Sequence, residues 1–183
     1  MKTIFAFICL TTGLSFPAYG AVVCPRNTFT CLEQHMDDFY LADHDRFYQV
    51  YEQAFKRAMQ CRNHQDTARY LTIYSAPGDN AEIDESMQED TEALLLLKPG
   101  CFFDAMLQLT PEQRDNLVGK YRLFSRPNHV MALLRKYMRG SKYQQLATLI
   151  YNANLDAYQS YGKDDEDAPM DDLYAQYKHQ EFK

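Results

Sequence analysis

Ala81-Glu82-Ile83-Asp84-Glu85-Ser86-Met87-Gln88-Glu89-Asp90-Thr91-Glu92-Ala93-Leu94-Leu95-Leu96-Leu97, followed by Lys98-Pro99-Gly100-Cys101-Phe102-Phe103 and on to Leu109, is the stretch that decides the fold class. Ile83, Met87, Leu94 and Leu95 fall close to one 3.6-residue stripe, whereas Glu85, Glu89 and Glu92 lie opposite it on a helical wheel. The Leu94–Leu97 run is too apolar to remain in water, so the spacing predicts a helix that dives into a core. Lys98-Pro99-Gly100 breaks it, because proline disfavours helical geometry in the residue before it and glycine frees the turn. A second apolar segment, 101–109, completes an αα-hairpin around which the remaining chain is expected to assemble.

Working outward, the same helical period recurs. Asp43 caps an amphipathic segment carrying Phe47, Val50, Tyr51, Ala54, Phe55 and Ala58 at i, i+3, i+4 spacing. Thr30 followed by Glu33 forms a capping-box pattern ahead of a helix over 31–40. Asn63–Asp66 reads as a turn, 67–74 as a shorter helix, and 75–80 as the strongest turn signal in the chain. Thr110-Pro111-Glu112-Gln113 is a second capping box with proline at the first helical position, starting a helix to about Leu123. Ser125-Arg126-Pro127 opens the next, with Val130, Leu133, Leu134 and Tyr137 inward and Gly140 as its left-handed stop. The last long helix is expected over 141–161, with Leu146, Ile150, Ala153, Ala157 and Tyr161 inward.

No segment alternates apolar and polar residues with β-branched enrichment, and Asn-Gly and Asp-Gly hairpin turns are missing. The fold class is therefore all-α, with about six to eight helices. Helix starts near Asp43, Asn80, Thr110 and Ser141 recur roughly every 30–37 residues, a spacing compatible with a short α-α superhelix. No residue signature repeats at that period, and an irregular bundle fits equally well.

The start of the chain reads as a signal peptide over 1–20. Lys2 supplies a basic start, Ile4–Leu14 an apolar stretch, and Ala18-Tyr19-Gly20 small residues for cleavage after Gly20. That stretch is shorter than the about 20 residues needed to cross a bilayer, and no later stretch is long enough. The expectation is an exported, periplasmic protein with a single helical domain over 21–162. An acidic tail, 163–183, contains a short helix near Asp171–His179 that bears Leu173, Tyr174 and Tyr177.

Of the five cysteines, Cys9 leaves with the signal, and an even set in an exported chain predicts two disulfides among Cys24, Cys31, Cys61 and Cys101. Three pairings exist, and Cys24–Cys31 with Cys61–Cys101 is preferred, the first closing a small loop and the second tying two distant helix ends. Zinc ligation by these cysteines calls for short paired spacings, which are not found among them. The formal net charge of −6 becomes one unit more negative without Lys2, leaving no basic face for a phosphate backbone. A partner, on these grounds, is another protein, cationic rather than nucleic acid.

Motifs that carry chemistry are scarce. Glu82, Asp84, Glu85, Glu89, Asp90 and Glu92 offer paired carboxylates of the kind used in glycoside hydrolysis or hard-metal binding, though acids early in a helix also complement its dipole. Asp164–Asp167 lacks the glycine and spaced ligands of a calcium loop. His44-Asp45 resembles the pair in helical metal phosphohydrolases, without the further separated ligands those enzymes need. Serine elbows, phosphate loops and His-Glu-x-x-His are not found. No cofactor or metal is expected.

Fourteen tyrosines, eleven phenylalanines and no tryptophan are a further peculiarity. Tyr40, Tyr48, Tyr70, Tyr143, Tyr151, Tyr158 and Tyr174 cannot all be deep in one core, and tyrosine at a surface offers rigid contact area. The candidate binding face accordingly comprises Glu82, Glu85, Glu89, Glu92, Tyr143, Tyr151 and Tyr158. In general properties the chain is similar to small periplasmic immunity proteins that neutralise toxins delivered by neighbouring bacteria. The expected function is non-enzymatic protein binding, as an immunity or inhibitor protein. The alternatives are a cell-envelope hydrolase using the Glu82–Glu92 carboxylates and a helical scaffold in an envelope complex.

Overall fold

The computed structural model describes residues 29–76, 80–164 and 166–178. The signal peptide with its cleavage site, Cys24, the 77–79 part of the turn, Asp165 and His179 lie outside the described residues.

Ten α-helices and one π-helical turn form among the described residues, with no strand. They are α1 (Phe29–Gln34), α2 (Met36–Ala42), α3 (His44–Gln60), α4 (His64–Ser75), α5 (Ala81–Leu97), α6 (Pro99–Met106), α7 (Pro111–Lys120), α8 (Pro127–Tyr137), α9 (Gln144–Ala157) and α10 (Met170–Lys178). The class is all-α as expected, but the count exceeds six to eight because the expected 31–40 helix is two and the tail contributes a docked helix.

Local capping chemistry explains most boundaries. Asp43 accepts the Arg46 N–H at 3.2 Å to start α3, and its expected stripe is buried together with Met59. Asn63 accepts the Asp66 N–H at 2.8 Å, so α4 opens one turn earlier than Thr67. Asn80 accepts from Glu82 and Ile83 to start α5. The Thr110 capping box is complete: its hydroxyl accepts the Gln113 N–H at 3.2 Å while the Gln113 side chain accepts the Thr110 N–H at 2.9 Å. Gly140 adopts φ +72, the left-handed stop that follows α8.

The other predicted box fails for a physical reason. Thr30 lies inside α1, and Glu33, instead of reaching back to Thr30, is held by the Arg69 guanidinium from α4. Arg69 also lies over the Phe29 ring at 5.1 Å. A charge-assisted fork to Arg69 outcompetes a neutral local cap, and the expected single helix over 31–40 becomes α1 and α2.

α4, rather than the α5–α6 hairpin, is the centre of the fold. It packs against α1, α3, α5, α6 and α7 and buries Thr67, Tyr70, Leu71, Ile73, Tyr74 and Ser75. The hairpin forms as expected around Lys98, and Pro99 begins α6, whose Cys101, Phe102, Phe103, Ala105 and Met106 are all buried. Contacts between helices distant in the chain, such as α4 with α7 and α10 with α3, are not those of stacked nearest-neighbour pairs.

Cys61 and Cys101 are bridged, with Cα atoms 6.0 Å apart, tying the end of α3 to the first turn of α6. One bridge rather than two is seen among the described residues, since the other expected pairing requires Cys24. Cys61 adopts φ +53 as the left-handed cap of α3, a conformation that costs a residue with a Cβ about 1–2 kcal/mol.

Two stripes shift. In α9 the buried positions are Leu146, Ala147, Ile150 and Asn154; the inward row advances by four from Ile150 to Asn154, which leaves Ala153 outward, and Tyr161 lies exposed in the π turn at Tyr158–Gly162. The tail docks: Leu173 and Tyr177 of α10 are buried while Tyr174 is exposed. Asp167, at the start of the acidic tail, accepts the Asn128 and His129 N–H groups at 2.9 and 2.7 Å, capping the start of α8.

Candidate functional site

The carboxylates of α5 leave the helix in three environments. Glu82, in the first turn, accepts the Tyr40 hydroxyl at 2.6 Å and the Tyr48 hydroxyl at 3.3 Å. Tyr40 and Tyr48 belong to α2 and α3, and their rings meet His44 edge-to-face at 4.9 and 4.8 Å. The Tyr40 hydrogen bond holds the Glu82 carboxyl below its ordinary range, while the same bond pushes Tyr40 up to about 12. His44 therefore sits in an aromatic cluster, 3.9 Å from Asp45.

Asp90, two turns further on, lies on the inward side. It accepts the Tyr51 hydroxyl at 2.6 Å and the Tyr177 hydroxyl at 2.8 Å, and the Tyr51 and Tyr70 hydroxyls are 3.2 Å apart. Burial pushes its carboxyl up to about 6 against the opposing pull of both tyrosine bonds. Desolvation also raises Tyr51 and Tyr70. Asp90 forms the floor of a cleft of about 270 Å3 among α3, α5 and α10, with Tyr48, Glu52, Phe55, Lys56 and Gln176 around it. Sequence reasoning placed Asp90 in the acidic group but not in a site. The available signal was its position: Ile83, Met87, Asp90 and Leu94 form one i, i+4, i+7, i+11 stripe, so a carboxylate there had to face inward.

The residues of the expected binding face are not brought together on one surface. Glu85 is exposed and Glu89 half-buried, as a solvated side requires. Glu92 is 1% exposed, contrary to expectation. It accepts the Phe124 N–H at 3.0 Å and lies 3.8 Å from the Arg126 guanidinium, because the segment 121–126 leading into α8 covers this end of α5. Burial raises the Glu92 carboxyl, opposed by Phe124 and Arg126. Of the Glu82–Glu92 carboxylates, Glu92 is thus placed in the interior, while Glu82 and Glu85 remain exposed.

Tyr143 is likewise buried, stacked on Phe103 with centroids 5.2 Å apart. Tyr151 on α9 and Tyr158 at the start of the following π turn are half-buried, with the Arg135 guanidinium 5.5 and 5.7 Å from their rings. Tyr151 accepts the Arg135 Nε–H at 3.3 Å, and Tyr158 donates to Asn128 at 2.7 Å. These tyrosines pack against α8, apart from the tyrosines that hold the α5 acids.

The surface that does assemble joins α2, α3, α5 and α10. Tyr40 and Tyr48 hold Glu82, Tyr51 and Tyr177 hold Asp90, and Tyr48 lines the cleft as well. Carboxylates fixed by phenol donors are pre-oriented hydrogen-bond acceptors with their aromatic partners already immobilised. Such a surface favours a cationic side chain through charge and ring faces together.

Among the described residues, the one group with metal-ligand chemistry is Cys61, His64 and Cys101, whose ligand atoms lie within 4.8 Å of one another, the two sulfurs being bridged. No helix among the described residues is long and apolar enough to cross a membrane. Compared with protein-family models, with curated proteins and with solved structures, the chain matches none of them.

Proposed function

We propose that this chain is an exported, non-enzymatic binding protein, secreted through its first twenty residues, that uses the acidic tyrosine-bearing surface of α3 and α5 to hold a cationic segment of another protein. Within that class, an immunity or inhibitor protein acting on a toxin or an envelope enzyme is the reading adopted. The observation that carries it is the pair of tyrosine-held carboxylates on α5: Asp90 lines a cleft with Glu52, and Glu82 is held by Tyr40 and by Tyr48, which lines the same cleft. Holding two carboxylates in place before a partner arrives lowers the ordering cost of association.

The test is capture of partners from an envelope extract with the full chain, followed by calorimetry on the purified partner at two ionic strengths. The expected partner is basic, its affinity falls with salt, and Glu82→Lys, Glu85→Lys and Glu89→Lys together slow association by about 10-fold or more. A deletion strain is expected to become sensitive to that partner. An acidic or salt-indifferent partner, or a charge-reversed variant that binds like the parent chain, refutes the reading.

A further inference from the structure

Cys61-Arg62-Asn63-His64 and Cys101-Phe102-Phe103-Asp104 are two short paired spacings, Cys-x-x-His and Cys-x-x-Asp, that the fold places side by side. Counting cysteines alone hides them. Cys61 caps α3, His64 is the first residue of α4, and Cys101 and Asp104 share one face of α6, three residues apart. The ligand atoms of Cys61, His64 and Cys101 lie within 4.8 Å of one another. Asp104 Oδ2 is 3.8 Å from His64 Nε2, while its other oxygen accepts the Lys142 ammonium at 2.8 Å. Lys142 thus fixes the carboxylate with one oxygen turned toward the imidazole, and it also holds Asp104 below the ordinary carboxylate range.

We propose that the Cys61–Cys101 bridge is one state of a redox-linked metal site, and that the reduced chain binds a thiophilic divalent cation such as Zn2+ through Cys61, Cys101 and His64. Asp104 is a positioning residue. Its Oδ2 faces the imidazole from 3.8 Å, close enough to steer a ligating histidine as outer carboxylates do. Two thiolates and one imidazole make a tetrahedral set with one position open, and the partial exposure of Cys61 and His64 puts that position at the surface. The Cα separation of 6.0 Å needs no large backbone movement for two sulfurs to share one ion.

A dithiol reductant gives two electrons and two protons to the Sγ–Sγ bond, which breaks into two thiols as the reductant closes to its own disulfide. The metal then displaces both thiol protons to solvent and is held by thiolates. Oxidation reverses the sequence and expels the ion, because a disulfide sulfur has no thiolate charge to offer.

The full chain, reduced with a phosphine and freed of reductant, is titrated with Co2+ as a spectroscopic probe. The expected result is a thiolate-to-cobalt charge-transfer absorption that saturates at one ion per chain, is displaced by Zn2+, and is missing in the oxidised protein. His64→Ala and Asp104→Asn each weaken binding by about 10-fold or more while leaving the oxidised protein's melting temperature unchanged. A reduced chain that keeps its helical circular dichroism yet shows no charge-transfer absorption overturns the proposal, as does His64→Ala binding like the parent. Should reduction itself cost helix, recovery of the helical signal on adding Zn2+ supports the site, and failure to recover it counts against it.

Discussion

Replacing Asp90 by asparagine is the sharpest test of the tyrosine-held core. Its carboxyl is raised from 3.8 to about 6 by burial, so the folded state binds a proton more tightly than the unfolded state does. The stability that follows from this is fully present below pH 3.8 and is lost as pH rises through about 6. At about 1.4 kcal/mol per unit, the loss attributable to this one group between pH 4 and pH 7 is about 2 kcal/mol. The Asp90→Asn side chain keeps the volume and one acceptor for the tyrosine hydroxyls but carries no charge. The difference in unfolding free energy, variant minus parent, should therefore climb by about 2 kcal/mol across that interval, measured by urea denaturation at half-unit steps of pH. Every other titrating group contributes to both proteins and cancels in the difference. A gap that stays constant with pH, or a carbon-detected titration placing the Asp90 carboxyl near 4, would show that the cleft floor is solvated and that the reasoning from burial is wrong.

Two further outcomes follow from the same packing. Leu173→Ala removes the fully buried anchor of α10, and a buried Leu→Ala change costs about 2–5 kcal/mol; because α10 docks at the edge of the fold, hydrogen exchange should speed up across its amides while α4 keeps its protection, and unchanged α10 exchange contradicts the docking. Glu92→Ala leaves Arg126 buried without its counter-charge, at a cost of about 3–5 kcal/mol in urea unfolding, and adding Arg126→Met should restore much of it; no recovery in the double variant would mean that Arg126 does not depend on Glu92.

Helix ends were legible wherever a side chain bonds its own next turn. Asp43, Asn80, Thr110 and Gly140 each act within a few residues, so their chemistry can be read along the chain. Thr30 and Glu33 followed the same local rule and failed because Arg69, far along the chain, offers Glu33 a stronger partner. Glu92 looked solvated because a helical wheel knows one helix only, and the segment that covers it arrives thirty-two positions later. Asn154 and not Ala153 is buried because the inward row of α9 runs Leu146, Ile150, Asn154, an i+4 step where an i+3 step is equally allowed by the helical period. The tyrosine surplus was visible as composition, but which tyrosines hold Glu82 and Asp90 depends on how α2, α3 and α10 converge on α5. The paired Cys-x-x-His and Cys-x-x-Asp spacings are present in the sequence, and they stay hidden for as long as cysteine is matched only to cysteine.

α4 has its walls supplied from both directions of the chain, by α1 and α3 before it and by α5, α6 and α7 after it. A growing polypeptide cannot close these walls until Lys120 has emerged, since α7 ends there. Until that moment Tyr70, Leu71, Ile73 and Tyr74 have only part of their final cover. Enclosure of α4 is thus a non-local event, completed by a helix whose first residue, Pro111, lies thirty-six positions beyond Ser75, where α4 ends.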